Sequence, residues 1–278
     1  MNEIKSNFFN FKKKFTSNEI QSSHYLGWNN LLIIKFEIIK NNIFDKKIID
    51  TSYPDLKDRQ KIFVVTKGAL EIKIDNQKNI LNEFDAFDLA SKNEEYEISA
   101  KENSVFFIIC AKDLDSQTGT NFFFNFKKDL EKKDLWGGQC ISRLYEGSGL
   151  TLVLFDLKKG FEFEDKGHEN EQITWLIEGK MNFHSNGESK ILTSENGGID
   201  IGPNHLHGGV SVGAIGFDAF FPKREEKKYK NATMSKISRN IIWIKINRSI
   251  KNYGYVKTFF RLLKHPIYKI FKKNYEFR

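Results

Sequence analysis

The sequence predicts an all-β protein built from two similar units and followed by a basic, partly helical tail. Three observations carry this reading. First, stretches rich in β-branched and aromatic residues cover 31–39, 62–65, 69–74, 105–110, 150–155, 173–177 and 214–221, each bounded by Gly, Asn, Asp or Lys. No helical period alternates with them, which argues against a βαβ parallel sheet and for a sandwich or barrel. Second, Phe63 to Ile72 (FVVTKGALEI) resembles Thr174 to Phe183 (TWLIEGKMNF) at an offset of 111 residues, with Gly68 on Gly179. Third, beyond Ser235 the pattern changes, and Val256, Phe259, Phe260 and Leu263 fall on one helix face until Pro266 ends it.

Each part follows from composition as well as pattern. With 40% hydrophobic and 29% charged residues over 278 positions, the chain can bury a sizeable core. Its two cysteines, Cys110 and Cys140, exclude a disulfide framework and a Cys-rich zinc module. Residues 1–24 read as an N-terminal arm. They lack the apolar segment of a signal peptide, and no apolar run of about 18 residues occurs, so a cytoplasmic location is expected. The units are placed at 25–126 and 137–226, and the tail at 227–278. Within the tail, Ile242, Ile244 and Ile246 alternate with polar or larger residues as in a strand.

The net charge of +8 is unevenly placed. Residues 223–278 hold 17 Lys/Arg and 3 Asp/Glu, leaving −6 for residues 1–222. Cations interleaved with Phe, Tyr, Ile and Leu fit an interfacial helix, on a membrane's inner face or on a partner protein, better than a nucleic-acid module, for which no motif is present. The simpler alternative is a solvated helix packing one apolar stripe on the body.

Chemistry concentrates in the second unit. Lys166-Gly167-His168 is followed by Gln172 and Gly179, and Pro203-Asn204-His205-Leu206-His207 lies downstream. Imidazole nitrogens with one amide oxygen form an N/O site suited to Zn, Ni, Fe, Mn or Co. In the first unit the offset puts Lys57, Lys61 and Tyr96 on the three ligand-type positions His168, Gln172 and His207, so no metal is expected there. Asp218 on an apolar strand demands a partner, either an ion pair with Arg224 or Lys166 or a catalytic proton.

These residues resemble the cupin superfamily motif, Gly-x5-(His)-x-His-x3-(Glu/Gln)-x6-Gly, followed by a Pro-Asn-x-x-His turn. The ending Asp218-x-Phe220-x-Pro222-x-Arg224 is similar to that of the small cupins of pectin and alginate breakdown. The resemblance implies two jelly-roll barrels in tandem, a divalent metal on His168, Gln172 and His207, Asp218 and Arg224 at the substrate, and Phe220 lining the pocket. Lys166 stands where the family has its first imidazole. Three alternatives stay open: a metal on the remaining three ligands, a replacement ligand such as His205 or His184, or a metal-free ligand site. Lys166 is also a candidate for holding an anionic substrate. Trp175 and His205 are candidate pocket residues, alternatively a core aromatic and a bystander. The expected function is proton transfer on an anionic sugar acid or keto-sugar, by isomerisation or ring opening. A non-catalytic carbohydrate- or nucleotide-sugar-binding protein and an Fe(II) dioxygenase are the alternatives, and a homodimer is an open arrangement.

Overall fold

The computed structural model describes residues 7–16, 20–26, 30–54, 59–74, 77–89, 95–112, 122–135, 137–195 and 197–224. The chain divides into two compact units, Met1–Ser235 and Lys236–Arg278. All described residues lie in the first. The helix face over 256–263, the strand over 242–246 and Lys57 fall outside them.

In chain order the strands are β1 (Asn7–Phe9), β2 (Lys12–Thr16), β3 (Ile20–Leu26), β4 (Leu31–Ile38) and β5 (Ile43–Asp45). After helix α1 (Lys46–Ser52) come β6 (Arg59–Lys67), β7 (Leu70–Ile74), β8 (Gln77–Leu81), β9 (Asp85–Leu89), β10 (Tyr96–Ala100), β11 (Ser104–Lys112) and β12 (Phe122–Asn125). The rest are β13 (Lys133–Leu135), β14 (Cys140–Glu146), β15 (Thr151–Leu157), β16 (Glu162–Asp165), β17 (Glu171–Ser185), β18 (Glu188–Thr193), β19 (Gly198–Ile201) and β20 (His207–Phe221). The Asp45 side chain caps α1 by accepting from the Ile48 amide at 3.0 Å, and Lys46 pairs with Asp50 one turn on. No helix of the described residues is long and apolar enough to cross a membrane.

Three antiparallel sheets result. One has seven strands in the order β12-β9-β6-β11-β4-β3-β2, and one has four, β5-β10-β7-β8. The third runs β1-β19-β17-β20-β15-β14-β13, with β16 also paired to β20 and β18 to β17. Part of the expected N-terminal arm is thus in the sheets: β3 pairs with β4, and β1 crosses to pair with β19.

The apolar pattern explains the layering. Leu32, Ile34 and Phe36 of β4, Phe63 and Val65 of β6, and Phe106 and Ile108 of β11 face the four-stranded sheet and pack on Leu70, Ile72 and Ile98. Their neighbours Leu31, Ile33, Ile62, Val64, Phe107 and Ile109 point to the opposite face and pack on Leu152, Leu154, Ile173, Trp175, Phe217 and Ala219 of the nine-stranded sheet. Buried on both faces, β4, β6 and β11 read as continuous apolar runs rather than alternating ones. Polar ties cross the same boundary. The Glu171 carboxylate accepts from Asn30 Nδ2 (3.0 Å) and the Leu31 amide (3.3 Å). The buried Asp88 accepts from Gln60 Nε2 (2.9 Å) and Tyr145 Oη (2.8 Å). Burial holds the Asp88 carboxyl above its ordinary range, and these two donors only partly offset it.

The two regions share a register. Tyr96 stands opposite Ile74, and His207 stands opposite Ser185, each residue 111 positions from its counterpart. Gly68 and Gly179 adopt φ of +78° and +77°, and a Cβ at either would clash with a backbone carbonyl, that of Asn103 or of Gly213. At Gly68 the bend separates β6 from β7, whereas β17 continues through Gly179 for 15 residues.

Candidate metal centre and cavity

The bent strands β17 and β20 build the site. At one end they pair Gln172 with Phe220 and Thr174 with Asp218; at the other they pair Phe183 with Gly209 and Ser185 with His207. Inward side chains from both ends, with β14, β15 and β16, enclose a cavity of about 90 Å³.

Gly167 sets the loop that carries His168. Its φ is +102°, and a Cβ there would stand 2.6 Å from the Asn204 carbonyl carbon. Asn204, itself at φ +64°, donates its amide to the His168 carbonyl at 2.6 Å. The Pro-Asn turn and the Gly-His segment therefore seat each other, and the His168 and His207 rings come to 5.4 Å between centroids.

The same glycine overturns one expectation. Alternation along a strand would put residues 166 and 168 on one side, but β16 ends at Asp165, and Gly167 resets the alternation. Asp165 turns inward and Lys166 is exposed and away from the cavity. One potential ligand atom each from Asp165, His168 and His207 lie within 4.8 Å of one another. Asp165 carries no signal in the motif, because its approach depends on the loop conformation. Only its place beside the missing imidazole hints at it.

This donor set fits a divalent ion. His207 Nδ1 lies 2.9 Å from the His205 carbonyl, which accepts its proton and leaves Nε2 with its lone pair. His168 Nε2 lies 2.8 Å from Gln172 Oε1, and the buried His168 Nδ1 has no partner among the described residues. Burial, then the Arg224 charge and His207, drives the His168 pKa down to about 4. Burial also lowers that of His207. Both imidazoles are neutral at pH 7, the ligating form. For Asp165, burial acts to raise the pKa, but the charged forms of His207 and His168, present only in acid, then the Arg224 charge and the Gly167 amide outweigh it and the net shift is downward. With neutral imidazoles the cation facing it is Arg224, whose Nη2 is 3.5 Å from Asp165 Oδ2.

Asp218 is the second chemical feature. Its Oδ1 accepts from Thr174 Oγ1 (2.6 Å) and Gln172 Nε2 (3.1 Å). The surface it keeps open faces the cavity rather than bulk solvent. Burial raises its pKa to about 6 against these two donors. Its direct partners are thus a hydroxyl and an amide, and neither Arg224 nor Lys166 forms an ion pair with it. Arg224 is held by its backbone, whose amide donates to Thr151 Oγ1 (2.9 Å) while its carbonyl accepts from the same hydroxyl (3.1 Å). Its guanidinium lies 5.2 Å over the Phe220 ring.

Two expected pocket residues lie elsewhere. Trp175 is fully buried in the second core, between Phe107 and Phe217 at 5.7 and 5.4 Å, because its odd position in β17 faces the seven-stranded sheet. His205 is outside the cavity lining, and its Nδ1 stands 3.3 Å from Asn186 Nδ2. His184 ends β17 before the Asn186-Gly187 turn and is half-buried. Phe161, Phe163, Met181 and Phe183 line the cavity without any motif signal.

No protein-family profile and no curated protein matches the sequence. Solved structures do. AerE from Microcystis aeruginosa aligns over 77% of this chain and 98% of its own with TM-score 0.61 and 16% identity. A cupin 2 conserved barrel domain protein from Leptotrichia buccalis covers 75% and 92% with TM-score 0.52 and 18% identity. A mutant of the oxalate decarboxylase OxdC from Bacillus subtilis covers 80% and 78% with TM-score 0.59 and 9% identity. At these identities the likeness speaks for the fold: the chain has the cupin fold.

Proposed function

We propose that the chain is two cupin barrels in tandem, the first structural and the second a metal-dependent enzyme that moves a proton on a small anionic carbonyl compound. The register shared at an offset of 111 residues supports the tandem. The observation that carries the enzyme reading is a carboxyl whose pKa is about 6 in one cavity with Asp165 and His207, with His168 beside those two. Mn(II) centres are reported for the Bacillus oxalate decarboxylase, which agrees with a divalent ion in this fold.

His168 and His207, with Asp165 and Gln172 beside them, would hold the ion, which would supply Lewis-acid polarisation of a substrate oxygen. Asp218 moves the proton. Oδ1 is engaged by Thr174 and Gln172, leaving Oδ2 to take a proton from carbon and return it elsewhere. Such a shift isomerises a carbonyl compound or opens a ring. Arg224 holds the substrate carboxylate, and Phe220 fixes the guanidinium plane. A sugar acid or keto-sugar is the substrate class that the motif resemblance implies.

The test is turnover of unsaturated uronates and of 2-oxo acids, together with exchange of the carbon-bound proton in deuterated water. Wild type and Asp218→Asn are compared, each metal-loaded and chelated. Turnover that requires both metal and Asp218 is expected. Wild-type protein that binds metal yet exchanges no substrate proton would defeat the enzyme reading in favour of a binding protein.

A further inference from the structure

Resting on that reading, we infer that the substrate is a small monocarboxylate with an apolar body, a carbocyclic or branched hydrocarbon frame rather than a polyhydroxylated sugar ring. Polar and apolar groups of the cavity come largely from different stretches of the chain, although the β16 segment and β20 contribute both. Gln172, Thr174, Asp218 and Arg224 come from the start of β17 and the end of β20, and Asp165 from the end of β16. Met181 and Phe183 come from beyond the Gly179 bend, Phe161 and Phe163 from the β16 segment, and Phe155 and Leu157 from β15.

Gln172, Thr174 and Asp218 Oδ1 are already committed to one another. Gln172 Nε2 donates to Thr174 and Asp218, Thr174 donates to Asp218, and Gln172 Oε1 meets His168. A sugar acid brings several hydroxyls, and the six apolar side chains provide no hydrogen-bond partner for them. Each hydroxyl buried without a partner lowers affinity by about tenfold. A hydrocarbon frame in the same place gains from leaving water.

Charge limits the anion to one carboxylate. Among the described residues Arg224 is the cation lining the cavity, against the carboxylates of Glu164, Asp165 and Asp218, which also offset the charge of a bound divalent ion. A second carboxylate on the substrate would stand among phenyl rings and repelling oxygens. Size limits the body. A cavity of about 90 Å³ is smaller than the apolar cavity of about 150 Å³ that takes benzene. One six-membered ring would fill it and reach into its mouth, and an oligosaccharide would not enter.

Two ligands isolate the point, since cyclohexanecarboxylate and D-galacturonate each carry one six-membered ring and one carboxylate and differ in the ring's hydroxyls and oxygen. Calorimetric titration of the zinc-loaded full chain should give at least tenfold tighter binding of cyclohexanecarboxylate. Phe163→Ser should abolish that preference, and Phe183→Leu, which keeps the wall apolar, should preserve it. Equal or tighter binding of galacturonate, or a preference that survives Phe163→Ser, overturns the inference. Metal bound stoichiometrically with neither acid binding also overturns it and leaves the metal reading standing. A preserved preference in protein that binds no zinc supports the apolar pocket and defeats the metal reading instead.

Discussion

The two strand regions place very different side chains on matching register positions. Lys61 opposite Cys110 corresponds to Gln172 opposite Phe220, and Phe63 opposite Ile108 corresponds to Thr174 opposite Asp218. Tyr96 corresponds to His207. In the first region these groups belong to a packed interior. Lys61 is 1% exposed with Nζ 3.2 Å from the Arg59 carbonyl, Tyr96 is buried, and burial pushes the Cys110 thiol up to about 12. In the second, the Asp218 carboxyl and the His207 imidazole line a cavity, with His168 beside His207. The comparison separates two demands on one lattice. Backbone pairing needs apolar faces and bends at Gly68 and Gly179, while chemistry needs polar groups at a few inward positions and space between them.

The largest expected effect breaks the comparison at its chemical centre. Asp218→Asn should lower turnover by about 10²–10⁴-fold while the protein stays folded. At the matching position, Ile108→Val should cost about 1 kcal/mol of stability and leave turnover unchanged. Denaturant unfolding beside the rate assay checks both. A turnover loss from Ile108→Val would mean that the two regions are not functionally distinct.

Metal affinity sharpens the same contrast. His207→Ala should weaken zinc binding by at least about 100-fold, the upper end of the effect of losing a supporting partner. Tyr96→Phe should leave it unaltered. The Tyr96 hydroxyl is buried with no hydrogen-bond partner among the described residues, so its removal should hold or raise stability by about 1 kcal/mol. Zinc titration and thermal melts read both outcomes.

Between the regions, Tyr145→Phe removes a donor from buried Asp88 and should cost about 1–3 kcal/mol without affecting zinc binding. Chemical denaturation provides the measurement.

The smallest effect is a pH trend in metal-free protein. His168 has a folded pKa of about 4 against its ordinary 6.5, so its neutral form contributes stability that is complete above pH 6.5 and lost as pH falls through 4. His207, also lowered, acts in the same direction, whereas Asp165, lowered from 3.8, loses its contribution only below that value and is silent between pH 5 and 7. Asp218, raised from 3.8 to about 6, acts oppositely: its contribution is present below pH 3.8 and lost as pH rises through 6. The two imidazoles should prevail, giving a lower melting temperature at pH 5 than at pH 7 in chelator. His168→Gln should flatten that slope, and an unchanged slope would exclude His168 as its source.

The strand regions were legible because apolar runs and glycine bends are local signals. Leu31–Ile38 and Leu70–Ile74 fall within or next to the expected stretches. β20 was read only over its second half, since His207 to Gly213 is polar and glycine-rich and looks like a loop. Its strand character comes from pairing with β16 and β17. In the site, His168, Gln172, His207, Asp218, Phe220 and Arg224 stood out as chemical types at recognisable spacings. Lys166 and Trp175 were misplaced because their facing depends on a left-handed glycine and on which sheet covers β17.

The sequence by itself determined the all-β class, the likeness of two strand segments 111 residues apart and the types of group available for chemistry, because strand periodicity and residue type are properties of the chain. Only the tertiary structure decided that Asp165 replaces Lys166 beside the imidazoles, that Trp175 seals a core, and that phenyl rings wall the cavity. Those facts depend on bends and on which sheet faces which, and they bring together residues that no linear spacing relates.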